Sequence, residues 1–262
     1  MKVIPKKSLG QNFLIDKNVI KLILNCAEIE NQEVLEVGPG TGNLTAEILA
    51  KNPKKLFVIE KDNNLILILK KKLNNSIIYI NDDILNISEE KLSENKLIVF
   101  GNLPYNISTE ILIKWILNLK CNFWFSKLVL MFQKEVADRI ISKSNQSNYG
   151  RLSVISNWKL NVKKIFDIKP CSFNPKPKVE SSLLVFTPKE DYLKLKNSKT
   201  LEKITRIFFN QRRKKIKKPY NQLFKNNIEY AKKLNIDLDL RPQNLDNETY
   251  YLLAKEFENL RD

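Results

Sequence analysis

The chain has 262 residues and no histidine. That excludes histidine triads, imidazole bases and histidine metal ligands. Any chemistry falls to carboxylates, amides, backbone groups or a cofactor. Cysteine is scarce: Cys26, Cys121 and Cys171 lie far apart and are odd in number. Neither a disulfide framework nor a zinc site is expected, and no metal at all. No apolar run approaches the ~18 residues that span a bilayer. The opening MKVIPKKSLGQNFLID has no continuous apolar stretch and no small-residue cleavage site. A cytoplasmic protein without a membrane partner is expected. Glycine is also rare: there are six, against ~18 in an average chain of this length.

Positive charge is plentiful. The net charge is +16 and the pI about 9.6, which points to a polyanionic partner. A composition rich in Lys, Asn and Ile can give that total without selection for binding, so local clustering decides more. Residues 203–218, KITRIFFNQRRKKIKK, carry eight basic residues and no acid. Arg212, Arg213, Lys214 and Lys215 are consecutive there and are the RNA-contact candidates. Phosphate contacts of this kind supply affinity and orientation rather than base choice. Phe208 and Phe209 beside them are expected to pack a small domain.

Hydrophobic patterning predicts strands at 33–37, 55–60, 76–80, 96–100, 127–132, 160–168 and 181–188. A helical period over 17–30 precedes the first strand, and helical periods follow the first, second, fourth and fifth. Residues 1–16 show no clear period. Such alternation predicts a doubly wound, Rossmann-like α/β sheet. The last two strands have the proline-rich PCSFNPKPK and no helix between them, so the sheet should be mostly parallel and end antiparallel. From about residue 190 only helical patterns and polar linkers remain. Two domains are expected, 1–189 and a small all-helical 190–262.

Three of the six glycines, Gly38, Gly40 and Gly42, fall together in EVGPGTGNLT, between a strand and a helix. A glycine-poor chain that clusters them needs close approach of a ligand to the backbone. Glu60 ends the second strand and can accept from both ribose hydroxyls of a nucleoside-type cofactor. Asp82 or Asp83, after the third strand, can receive the adenine amino group. The glycine spacing departs from the dinucleotide pattern, and Glu36 precedes the loop. A carboxylate there suits a cationic cofactor better than a pyrophosphate, favouring S-adenosylmethionine.

GNLPYNIST (101–109) follows the fourth strand. The amino group of adenine is a poor nucleophile because its lone pair is conjugated with the ring. Two acceptors that bind its hydrogens favour a pyramidal, more nucleophilic nitrogen. The side-chain oxygen of Asn102 and the backbone carbonyl of Leu103 or Pro104 can supply them. Pro104 stiffens the loop, and Tyr105 offers a face to the base, worth ~1–3 kcal/mol. Phe173, between prolines, is a candidate for the base's other face; the alternative is a core phenylalanine.

Together these segments resemble the ribosomal RNA adenine dimethyltransferase family over nearly the whole chain. The resemblance runs from SLGQNFL (8–14) through LEVGPGTGNLT, VIEKD, FGNLPYNIST, YGRLSV (149–154) and FNPKPKVESS to FFNQRRK and RPQNL (241–245). It implies a methyltransferase domain using S-adenosylmethionine. It also implies a substrate: two adjacent adenosines in a hairpin loop near the 3′ end of 16S rRNA. These would be dimethylated on N6 within the immature small subunit, by a monomer. By motif, the cofactor contacts fall on Asn12, Leu14, Gly38, Glu60, Asp82 and Asn102, with Gly40 in the same loop. Three alternatives stand. A large-subunit rRNA methyltransferase of the antibiotic-resistance type would share the cofactor loop, but SLGQNFL and RPQNL favour the small-subunit type. A ribosome-assembly factor with secondary methylation would use the same basic segment. An oxidoreductase is opposed by Glu36 and Asn-Leu-Pro-Tyr.

Overall fold

A computed structural model describes residues 5–6, 9–73, 76–119 and 122–260; Cys121 lies outside them. The chain divides into two compact units. The first takes residues 1–114, 119–137 and 162–188, the second 115–118, 138–161 and 189–262.

The elements begin with β1 (Phe13–Leu14), α1 (Lys17–Leu24), β2 (Glu33–Val37), α2 (Asn43–Leu49), β3 (Lys55–Ile59), α3 (Asn63–Lys72), β4 (Ile77–Ile80) and β5 (Leu97–Gly101). Then come α4 (Ser108–Asn118), β6 (Phe125–Gln133), α5 (Lys134–Ile141), α6 (Arg151–Ser156), β7 (Leu160–Ile168), β8 (Phe173–Asn174) and β9 (Ser181–Pro188). The chain ends with α7 (Ser198–Phe209), α8 (Lys217–Phe224), α9 (Glu229–Lys233) and α10 (Asn247–Asn259).

Seven strands form one sheet in the order β4-β3-β2-β5-β6-β9-β7. The β2–β3, β3–β4, β2–β5 and β5–β6 pairs are parallel, and β9 runs antiparallel to β6. From β2 the chain winds outward through β3 to β4, then returns to β2's other side with β5. Strand order therefore reverses between β2 and β5, the place where such sheets open a crevice.

The strand sequences explain the layers. In β2, Val34 packs with α1 and α2 through Ile20, Ile23, Leu24, Leu44 and Ile48, as do Leu56, Val58, Ile98 and Phe100 from neighbouring strands. The alternate residues Leu35, Val37, Phe57, Ile59 and Val99 are buried as well. A strand buried on both faces reads as a continuous apolar run, which EVLEV, KLFVI and LIVFG nearly are. Glu36 is the charged exception among the inner positions of β2.

Two features differ from the sequence expectation. The helix over 17–30 stops at Leu24, because turns close through Cys26 N to Ile23 O and Ala27 N to Leu24 O, both near 3 Å (3.1 and 3.2 Å). The aperiodic N-terminal segment contains β1, which pairs antiparallel with β8 through Phe13↔Asn174 and Leu14↔Phe173. Asp16 then caps α1 by accepting from the backbone N–H groups of Asn18 and Val19. Its carboxylate also accepts from Ser172 Oγ at 3.0 Å, tying the segment to the start of β8.

Within the second unit, the expected helices α7 to α10 are joined by α6. Tyr251 Oη donates to Val154 O at 2.9 Å, and Arg151 pairs with Glu202 at 2.7 Å. The compact helical unit is thus wider than residues 190–262, since it also takes in 115–118 and 138–161.

Candidate active site at the carboxyl edge of the sheet

Four parallel strands end side by side and deliver their next residues to one edge. Gly38 follows β2, Glu60 follows β3, Asp82 stands just past β4, and Asn102 follows β5. A cleft of about 170 Å³, open to solvent, lies over them. Asn12, Gly38, Gly40, Glu60, Asp82, Asn102, Leu103, Pro104 and Tyr105 all line it.

The glycine loop and the Asn-Leu-Pro-Tyr loop touch. Gly38 has φ +70°, and a Cβ there would lie 3.1 Å from the Asn102 carbonyl oxygen. Gly40 has φ +57°, and a Cβ would meet the Phe13 ring at 2.6 Å. Both positions require glycine twice over, by backbone conformation and by space. A much smaller void of about 10 Å³ lies against the same loop, lined among others by Leu14, Glu36, Gly38, Gly40 and Asn102.

Glu36 is fully buried, and burial pushes its carboxyl up to about 8, with the Glu60 carboxylate adding to the rise. Neither Glu36 Oε2 nor Thr45 Oγ1 has a hydrogen-bond partner among the described residues. Such groups are costly unless something satisfies them. Glu60 is also raised by burial, partly offset by the Asp62 N–H, which donates to Oε1 at 2.9 Å.

Asn102 Nδ2 donates to the Asn12 carbonyl at 2.8 Å. That bond uses the amide's donor end and leaves Oδ1 as its acceptor end. Tyr105 Oη shares a 2.5 Å hydrogen bond with Ser181 Oγ at the start of β9. Burial raises the Tyr105 phenol, with Ser181 opposing.

The two aspartates differ. Both oxygens of Asp83 are engaged, Oδ2 by Lys61 at 2.7 Å and Oδ1 by the Leu85 N–H at 3.0 Å. Asp82 engages Oδ1 locally, accepting from the Asp83 N–H at 2.6 Å and Asn86 Nδ2 at 3.2 Å.

Phe173 is a correction. It does not line the cleft; it is 1% exposed and packs in the core with Leu14, Ile168 and Leu183. Pairing of β8 with β1 encloses it, and burial of the ring outweighs display. Sequence reasoning also missed Gln11, Phe13, Lys61, Asn106 and Ile107 as cleft residues. The segments SLGQNFL and NLPYNI contain four of them, but only the fold brings them to the glycine loop.

The basic segment separates by side chain. Arg212 donates to the backbone carbonyls of Gln146 (3.2 Å) and Ser147 and is half-buried. Lys215 pairs with Asp239 at 2.9 Å. Arg213 and Lys214 are exposed. Among the described residues, no helix is long and apolar enough to cross a membrane, and no cluster suits a metal.

Residues 4–259 match the family model described as ribosomal RNA adenine dimethylase. The chain belongs to this family. Among its relatives is the ribosomal RNA small subunit methyltransferase A of Pelagibacter ubique, 66% identical over 256 residues, 98% of each chain. The protein of that name from the Wolbachia of Drosophila simulans is 42% identical over 98% of this chain and 94% of its own. In structure, this adenine dimethylase resembles a dimethyladenosine transferase from Plasmodium falciparum, with 27% identity, TM-score 0.77 and coverage of 94% and 98%. The fold is also that of the 23S rRNA methyltransferase ErmE, at 23% identity, TM-score 0.68 and coverage of 96% and 100%.

Proposed function

We propose that this enzyme transfers methyl groups from S-adenosylmethionine to the N6 amino groups of two adjacent adenosines in the 3′-terminal hairpin loop of 16S rRNA, within the immature small subunit. The small-subunit assignment follows the names of the relatives at 66% and 42% identity. We further propose that it acts in the cytoplasm as a monomer.

The observation that carries the chemistry is the Asn102 amide, whose donor end is held by the Asn12 carbonyl at 2.8 Å. Its oxygen is thereby available to one hydrogen of the adenine amino group. A carbonyl of Leu103 or Pro104 takes the other, and the nitrogen pyramidalises without a strong base. The Tyr105 ring, anchored by Ser181, stacks on the base. A hairpin-loop base can be turned out of its stack at low cost.

The cradle fits the methyl donor. Gly38 and Gly40 let the loop backbone pack against Asn102 and Phe13 at the cleft, where a side chain would collide. The orphaned Glu36 carboxyl beside them is kept neutral by burial, and a cationic ligand against the loop would draw it into its ionised form. Glu60 holds the ribose, Asp82 the adenine amino group, and Asn12, Leu14 and Asn102 complete the contacts. S-adenosylmethionine, when bound, supplies an electrophilic methyl group on its sulfonium. Arg213 and Lys214 contact RNA phosphates, with Arg212 and Lys215 in the same segment.

The test is methyl transfer from labelled S-adenosylmethionine to unmethylated small and large subunits. Label in small subunits alone is expected. Label in large subunits alone would move the enzyme to the other branch of the family. Binding of small subunits without transfer would favour a pure assembly factor.

A further inference from the structure

The loop after β4 carries Asp82; at its start Asn81 Nδ2 donates to the Glu60 and Lys61 carbonyls at 2.9 and 3.3 Å, and beyond Asp83 the bonds within the loop are short-range. Asn86 N reaches Asp83 O at 2.8 Å and Ile87 N reaches Ile84 O at 3.3 Å, closing a turn of 3₁₀ helix over Ile84–Asn86. A second such turn follows at Glu89–Lys91. Single turns of this kind shape a segment but do not fix where it stands. Burial of Ile84 helps, and Lys61 holds Asp83 near the loop's start at 2.7 Å. The stretch beyond Asp83 is tethered from α4.

That tether is Lys114. Its Nζ donates to Ile84 O at 2.8 Å, to Ile87 O at 2.6 Å and to Glu89 Oε1 at 3.0 Å. An ammonium has three donors, and all three go to one six-residue stretch of the loop. The Lys114 and Glu89 side chains are only 20% and 7% exposed, so the pair is shielded from water rather than solvated. At its N-terminal end, α4 grows directly out of the Asn-Leu-Pro-Tyr loop. Asp82 and Ile84 line one part of the cleft, and Asn102 and Tyr105 another. One side chain thus links the two walls.

We propose that Lys114 is a positioning residue that holds the Asp82 loop in register with the Asn-Leu-Pro-Tyr loop and so sets recognition of the donor's adenine ring. This rests on the reading of Asp82 as acceptor for the adenine amino group. Lys114 acts through the backbone at 84 and 87 and touches no ligand itself.

The test compares binding of S-adenosylhomocysteine with binding of its deaminated counterpart, S-inosylhomocysteine, by calorimetry on the full chain. The wild type is expected to prefer the amino-bearing ligand by about tenfold, the worth of a hydrogen bond to a charged acceptor. Lys114→Met is expected to cut that preference to about threefold or less, and to raise KM for the donor more than it lowers kcat. Lys114→Arg should recover part of the preference. If Lys114→Met does not fold, Lys114→Gln, which cannot satisfy three acceptors, is read the same way. Equal weakening of both ligands, with the preference intact, would mean that Lys114 only stabilises the fold, and would overturn the proposal. A wild type that does not discriminate would instead overturn the Asp82 reading, and the proposal with it.

Discussion

At the scale of single residues, the proposed chemistry is tested most directly at Asn102, and the buried carboxyl beside it at Glu36. Asn102→Ala removes an oriented acceptor and is expected to slow single-turnover transfer on the order of 100-fold or more. RNA binding, measured in parallel, should hold. Glu36 makes a pH prediction. Below its ordinary value of 4.5 the carboxyl is protonated whether the chain is folded or not. Between there and about 8 the unfolded chain ionises it and the folded chain does not. Stability is therefore lost as pH rises through that window, and the loss levels off above it. Glu36→Gln abolishes the effect, so its Tm should gain on the wild type steadily from pH 5 to pH 8. A constant Tm difference across that range would contradict the buried, protonated carboxyl. The places of Gly38, Glu60 and Asn102 at the strand ends along the cleft could be read in the sequence because each follows a strand within a local motif. Phe173 could not: whether its ring faces a cleft or a core depends on β1, a strand two residues long pairing from the far end of the chain.

At the scale of elements, the alternation of buried strands and amphipathic helices was legible because both faces of the sheet are covered and the strands are nearly all apolar. The N-terminal segment was not, since its order comes from distant partners. Asn102 Nδ2 holds Asn12 O, Asn43 Nδ2 donates to Leu14 O at 2.8 Å, and Asp62 accepts from Lys6 and Gln11 at 2.9 and 3.1 Å. These bonds lay residues 9–14 along the cleft. Asp16, which caps α1 and holds Ser172, secures the segment's far end. Asp16→Ala is expected to cost about 1 kcal/mol in denaturant unfolding, as loss of a helix cap does. It should also weaken donor binding several-fold, whereas an equally destabilising change in α10 should not.

At the scale of the whole molecule, the proposed contact with RNA rests on charge. A run of four basic residues looks uniform in sequence, yet their surroundings differ. Arg213→Ala with Lys214→Ala is expected to weaken binding to small subunits and to flatten its salt dependence. The slope should fall by about 0.7–0.9 for each phosphate that is no longer neutralised. Arg212→Ala should chiefly lower Tm, because that side chain holds the 146–147 backbone. If the double variant binds with an unchanged salt slope, the segment does not touch phosphate.

The most direct measurement is mass-spectrometric identification and mapping of the nucleoside formed on unmethylated small subunits, with wild type and Asn102→Ala side by side. Two adjacent N6,N6-dimethyladenosines near the 3′ end of 16S rRNA, formed by the wild type and not by the variant, are expected. Methylation at another atom or another base, or full activity without the Asn102 amide, would contradict the assignment of this cleft.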